Sequence, residues 1–265
     1  MNILEEIAAT KRREVEAMKL IVPEKTMKVE AYTVLRSIIS MKSSILNKKP
    51  GIIAEHKRRS PSKGEIHPMS DVAKVAAGYV ANGASAMSVL TDTPYFGGSV
   101  SDFMVARQTA PRLPLLRKEF IVDEYQIFQS RLIGADAVLL ISSILDADTL
   151  RRFNDTAHML GLETLVEVHS LHELSSLPED ADMVGVNNRD LTSFSTDISN
   201  SRLLFDSLPA GMVKIAESGI LKAEDIVGLQ KIGFDGFLIG EAFMSAPDPG
   251  ERLAEFIDYA NSNKN

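Results

Sequence analysis

The chain has no cysteine and no tryptophan among its 265 residues, and aromatic side chains make up only 6% of it. Without cysteine there can be no disulfide, no thiolate metal site and no Cys nucleophile. No apolar run approaches the roughly 18 residues of a membrane span. The amino-terminal stretch MNILEEIAATKRREVEAMK is charged and amphipathic and lacks the apolar centre of a secretory signal. Positive charge is not in excess either. Asp and Glu number 36 against 29 Lys and Arg, a net charge of −7. That balance excludes a chain built as a whole to bind nucleic acid or an anionic membrane. The expected compartment is the cytoplasm.

What is present is a regular alternation. Eight short runs rich in Val, Ile and Leu recur along the chain: GIIAE, AMSVL, LPLLR, DAVLLI, ETLVEV, DMVGVN, MVKIAE and DGFLIG. Stretches with helical spacing separate them, such as SDVAKVAAGYVANG and DADTLRRFNDTAHMLG. Near-continuous apolar strands alternating with helices predict a parallel sheet covered on both faces. The segments NGASAMSVL, IGADAVLLI and IGFDGFLIG share one pattern, a glycine, a short turn and a buried strand, anchored at Gly83, Gly134 and Gly233. Those spacings equal two and four units of about 25 residues, the period of a (β/α)8 TIM barrel. A doubly wound open sheet is the competing arrangement and accounts less well for the period. Before the first strand, residues 3–20 and 27–46 read as two helices with Pro23 between them. The expectation is one domain, with residues 1–48 a helical extension packed on a barrel of residues 49–265.

Catalytic groups of a barrel sit at the carboxyl ends of its strands, where the βα loops gather. The first strand ends in Glu55 and Lys57, two apart and so on one face. The third ends at Lys118, the fifth carries Glu167 between two valines, and the seventh ends at Glu217. All are odd-numbered strands, which supply one layer of a barrel interior. A carboxylate buried unpaired in LVEV would cost several kcal/mol, so a lysine partner is expected. Strand six adds Asn187 and Arg189. The loops after strands seven and eight begin with Ser218-Gly219 and Gly240-Glu241, where close backbone approach suits an anion. With Lys57 and Ser60 on neighbouring strand one, an anion pocket is predicted. Charges at strand ends are also common as solvated loop residues; the convergence of several at one end favours a site. His56 should point away from Glu55 and Lys57. The pair in HSLH (169–172) has no further ligand cluster at suitable spacing, and no metal is expected. The cations of residues 57–63 lack the interleaved aromatics of a nucleic-acid surface.

The segments AEHKRRSPSKGEI, VLTDTPYFGGS, LLRKEFIVDEYQI, GADAVLLI, TLVEVH, GVNNRDL, IAESGI and FLIGEAFM resemble, in order, the motifs of the indole-3-glycerol-phosphate synthase family. ILEEIAATKRREVEAMK is similar to that family's helical extension, and the resemblance runs from about residue 3 to about residue 250. It implies closure of 1-(2-carboxyphenylamino)-1-deoxyribulose 5-phosphate to indole-3-glycerol phosphate in tryptophan biosynthesis, with loss of carbon dioxide and water and no cofactor or metal. It further implies Lys118 as general acid, Lys57 as partner of the substrate carboxylate, and Glu167 in acid–base work with Glu55 orienting Lys57 or sharing the role. Asn187, Arg189 and Glu217 match positions that orient substrate and the charged network. Ser60, Ser218, Gly219, Gly240 and the Glu241 backbone N–H match the phosphate site. Phe96 and Phe120 match apolar walls for the aromatic ring, though ordinary packing explains them as well.

Burial and Lys57 should lower the Lys118 pKa while the carboxylates oppose that. Glu119 stands where Asp is common in the family and adds a methylene beside Lys118. Two other readings stay open: an aldolase-like barrel forming a Schiff base on Lys118, and a silent barrel that only binds a phosphate ligand or a protein. The group that donates the final proton, the oligomeric state and association with other pathway enzymes are not set by these motifs.

Overall fold

The computed structural model describes residues 3–189 and 195–263, so Asp190 and Leu191 of the GVNNRDL motif lie outside the described residues. Eight parallel strands close into a barrel: β1 (Gly51–His56), β2 (Ala86–Leu90), β3 (Leu115–Lys118), β4 (Ala137–Ile141), β5 (Glu163–Val168), β6 (Met183–Asn187), β7 (Val213–Glu217) and β8 (Gly236–Ile239). Strand β1 pairs with both β2 and β8, which leaves no free edge. Each sequence run expected to be a strand is one. A two-residue ladder, Arg59–Ser60 against Gly64–Glu65, forms a small hairpin directly after β1. Ser60 therefore sits in the first βα loop, beyond the end of the strand.

Surrounding the barrel are α4 (Val72–Ala81), α5 (Val100–Thr109), α6 (Glu124–Ile133), α7 (Ala147–Met159), α8 (Ser199–Leu204), α9 (Ala223–Ile232), α10 (Glu241–Met244) and α11 (Pro249–Ser262). Their starts follow local chemistry. The side chains of Asp71, Ser99, Asp123, Asp146 and Asp248 each accept a hydrogen bond from a first-turn backbone N–H. Among the described residues no helix is long and apolar enough to cross a membrane.

Three helices precede the barrel: α1 (Ile3–Ile21), α2 (Glu24–Thr33) and α3 (Met41–Asn47). In α1 the buried residues Leu4, Ile7, Ala8, Lys11 and Val15 lie on one face, with a lysine in the apolar stripe. The expected single helix over 27–46 is instead two, because residues 34–40 are pulled straight across the foot of the barrel. Arg36 donates to the buried Asp136 carboxylate at 2.8 Å and to the carbonyls of Gly134 and Ala135. The Ile39 N–H donates to the same carboxylate at 2.9 Å, and Ser40 then caps α3. Tertiary hydrogen bonds override helical propensity here.

Candidate active site

The odd strands deliver their polar ends to one cavity at the carboxyl end of the barrel. Lys118 is central. Its ammonium donates to Glu217 Oε2 at 2.6 Å and to Glu167 Oε2 at 3.1 Å. Asn187 Nδ2 donates to the other Glu167 oxygen at 3.0 Å. Lys57 pairs with Glu55 at 2.7 Å at the end of β1. The barrel makes room for these carboxylates with glycine. A Cβ at residue 185, on the strand beside Glu217, would stand 1.9 Å from Glu217 Oε1. One at residue 240 would stand 2.4 Å from Glu55 Oε1. Any side chain at either position would displace a carboxylate.

The opposite wall is made of turns and polar side chains. Ser218 and Gly219 hold consecutive left-handed conformations, φ 64° and 74°, which turn the chain sharply after β7. Ser60, Ser62 and Arg189 stand across from them, with Arg189 donating to the Ser62 hydroxyl. Glu241 carries the cations of this side, 3.0 Å from Lys63 and 3.5 Å from Arg189. A third wall is apolar. The Phe96 and Phe120 rings lie 5.8 Å apart, and Leu139, Ile141 and Ile239 continue the surface. All the candidate residues named from the sequence line this one cavity.

Two expectations change. Burial does disfavour the Lys118 charge, but Glu217, Glu167 and Glu55 outweigh it, so its pKa lies above the ordinary lysine value. Lys57, expected to lower it, is paired with Glu55 at 2.7 Å. Glu119, next in sequence to Lys118, points the other way along the alternating strand, toward Thr91, Lys11 and Arg117. Its carboxylate is not among the partners of Lys118, which are Glu167 and Glu217. His56 faces outward as expected, with Nε2 3.0 Å from the Ser70 hydroxyl.

In the sequence, His169 stands out only as a residue of metal-ligand type. Among the described residues no group of three or more His, Asp or Glu side chains is arranged to hold a metal. Its ring lies instead between two carboxylates, Nε2 3.2 Å from Glu167 and Nδ1 3.5 Å from Glu173. Burial alone would lower its pKa, but these neighbours raise it to about 10. Burial also works against the Glu167 charge, yet Lys118, His169 and Asn187 hold that carboxyl well below the usual range. The helix α1 was missed as a lid: Ile3, Leu4 and Ile7 close over the cavity. Its apolar spacing was legible in the sequence, but not which surface it covers.

A family model described as indole-3-glycerol phosphate synthase matches residues 4–256. The chain is 44% identical over 256 residues to the indole-3-glycerol phosphate synthase of Bacteroides thetaiotaomicron, covering 97% of this chain and 98% of that protein.

The chain belongs to the indole-3-glycerol phosphate synthase family.

A synthase of the same name from Carboxydothermus hydrogenoformans is 42% identical over 258 residues, covering 94% of this chain and 97% of that one. Among solved structures, thiamine phosphate pyrophosphorylase from Pyrococcus furiosus superposes with a TM-score of 0.61 at 16% identity, over 84% of this chain and 98% of that one. The 3-hexulose-6-phosphate synthase of Salmonella typhimurium gives 0.62 at 15% identity, over 81% and 100%. At such identities these two establish the shared barrel alone.

Within the family site, Glu217 is the group that titrates near neutrality. Burial pushes it up to about 7; Lys118 opposes the rise, while Glu167 and Glu55 add to it. Ionised Glu217 is the form that holds Lys118, so kcat/KM is expected to rise with pH through an apparent pKa near 7. That limb should vanish in Glu217→Gln, and its persistence there would assign it to another group. Stability moves in the opposite sense. The folded chain binds the Glu217 proton between the ordinary 4.5 and about 7, so this contribution falls as pH rises through that window. For Glu167, whose folded pKa is depressed, the contribution is present above its ordinary value and lost as pH falls.

Proposed function

We propose that this member of the family closes the indole ring, converting 1-(2-carboxyphenylamino)-1-deoxyribulose 5-phosphate into indole-3-glycerol phosphate, carbon dioxide and water. The observation that carries the reading is a lysine held between two buried carboxylates, Glu167 and Glu217, in a cavity with an aromatic wall on one side and backbone turns suited to phosphate on another.

The substrate has a part for each surface. Its phosphate goes to Ser60, Ser218, Gly219, Gly240 and the Glu241 N–H, and its ring stands against Phe96 and Phe120. Attack of the ring carbon on the ketone leaves negative charge on the carbonyl oxygen. Lys118, kept protonated by its neighbours, donates a proton there. Lys57 holds the ring carboxylate while loss of carbon dioxide restores aromaticity, and Glu55 orients Lys57. Dehydration then removes a hydroxyl and a neighbouring proton, with Glu167 as the acid–base group. Asn187 aims Glu167, while Glu217 and Arg189 set the charge around Lys118 and the substrate hydroxyls. A lysine with a raised pKa is a poor amine nucleophile, which weighs against a Schiff base on Lys118.

Every group in this scheme comes from one chain, so a monomer suffices, and we place the enzyme in the cytoplasm. Residues 1–48 act with the barrel as one unit, because α1 supplies part of the cavity. The test uses the absence of tryptophan. Adding the carboxyphenylamino-deoxyribulose phosphate should produce rising indole emission from a nearly dark protein. A flat trace from folded protein that still binds the ligand would leave a binding barrel in its place.

A further inference from the structure

Lys11 is the least expected residue of α1. It lies one turn beyond Ile7 on the face that covers the cavity, and it is buried, 4% exposed. Its ammonium is 3.0 Å from Asp92, 3.2 Å from Glu119 and 2.7 Å from Glu14. A buried cation needs partners, but these partners have work of their own. Asp92 Oδ1 accepts the backbone N–H groups of Tyr95 and Phe96, at 2.8 and 3.2 Å. Glu119 Oε1 accepts the N–H of Phe120 at 2.9 Å, and its Oε2 accepts the Thr91 hydroxyl at 2.6 Å. The two carboxylates thus shape the two turns that carry the aromatic wall. Among the described residues, Lys11 is the one cation paired with Asp92. Glu119 also pairs with Arg117, at 3.7 Å. Helix α1 grips the same turn again through Tyr95, whose hydroxyl lies 3.2 Å from Thr10 Oγ1 and 3.1 Å from Glu6.

We propose that Lys11 is a positioning residue for the aromatic half of the site. By neutralising Asp92 and Glu119 together, it holds the Phe96 and Phe120 turns at the separation that receives the substrate ring. The inference rests on the reading of those two rings as the ring-binding wall. It makes α1 a part of substrate selection as well as a cover, since one ammonium joins it to both turns. Removing the charge leaves two buried carboxylates facing each other, and the turn with only one counter-ion, at Asp92, opens first.

The experiment compares Lys11→Met, Lys11→Met with Asp92→Asn, and Phe96→Ala, each checked for folding by circular dichroism. An Asn at 92 keeps the acceptor for Tyr95 and Phe96 and no longer needs a cation. Lys11→Met is expected to raise the substrate KM about tenfold, with inhibition by inorganic phosphate unchanged. The double variant should recover most of that loss, whereas a lysine that served stability alone would leave the KM of folded Lys11→Met unchanged. If Lys11→Met fails to fold, the double variant decides: folded protein with near-normal KM supports the proposal, and folded protein with a raised KM overturns it. A normal KM in Lys11→Met beside a raised KM in Phe96→Ala would also overturn it, and so would a parallel loss of phosphate affinity. A normal KM in Phe96→Ala would instead remove the ring-wall reading itself, and the inference with it.

Discussion

Lys118→Ala is expected to lower turnover on the order of 10³-fold or more, because proton donation and stabilisation of the carbonyl oxygen are lost together. Affinity for inorganic phosphate should stay nearly unchanged, since the turns proposed to hold phosphate, Ser218-Gly219 and Gly240-Glu241, are not among the hydrogen-bond partners of this side chain, Glu167 and Glu217. The variant must cope with two buried carboxylates that have lost their shared cation. Uptake of a proton by Glu217, already the weaker acid of the pair, relieves this. The variant should therefore fold at pH 6 and be less stable at pH 8. Stopped-flow indole emission measures the turnover, and phosphate inhibition measures the binding. Near-normal turnover would remove Lys118 as the acid.

Glu167→Gln separates the steps of the reaction. The amide keeps the shape of the side chain and can still accept from Asn187, but it cannot exchange a proton. Loss of an acid–base group costs about 10² to 10⁴-fold. If Glu167 serves dehydration, ring closure and decarboxylation still proceed on Lys118 and Lys57. A single turnover should then release carbon dioxide at close to the wild-type rate, while indole emission lags far behind. Parallel slowing of both signals would place Glu167 at or before ring closure. His169 contributes to holding Glu167 ionised from 3.2 Å away.

The barrel was legible because its signals are local. A run such as DAVLLI is buried on both faces wherever it is placed, and an Asp or Ser before a helical stretch caps it with its own backbone. The strand-end rule then brought Glu55, Lys118, Glu167 and Glu217 together from widely separated parts of the chain. Local signals misled where a distant group competed. Residues 34–40 have helical neighbours on both sides, and the Asp136 carboxylate, about a hundred positions away in sequence, holds them extended.

Residue types, order and spacing were thus enough to determine the barrel and to bring the charged strand ends to one end of it. Only the tertiary structure decided their charge states and their supports. Lys118 and Glu217 lie 99 positions apart in sequence and 2.6 Å apart in space. Whether burial lowers such a lysine or carboxylates raise it depends on distances and on water removed. The same holds for Lys11, whose helical spacing placed it on a buried face without naming the carboxylates it would meet. Coulomb interactions and desolvation act through space, and separation along the chain does not encode them.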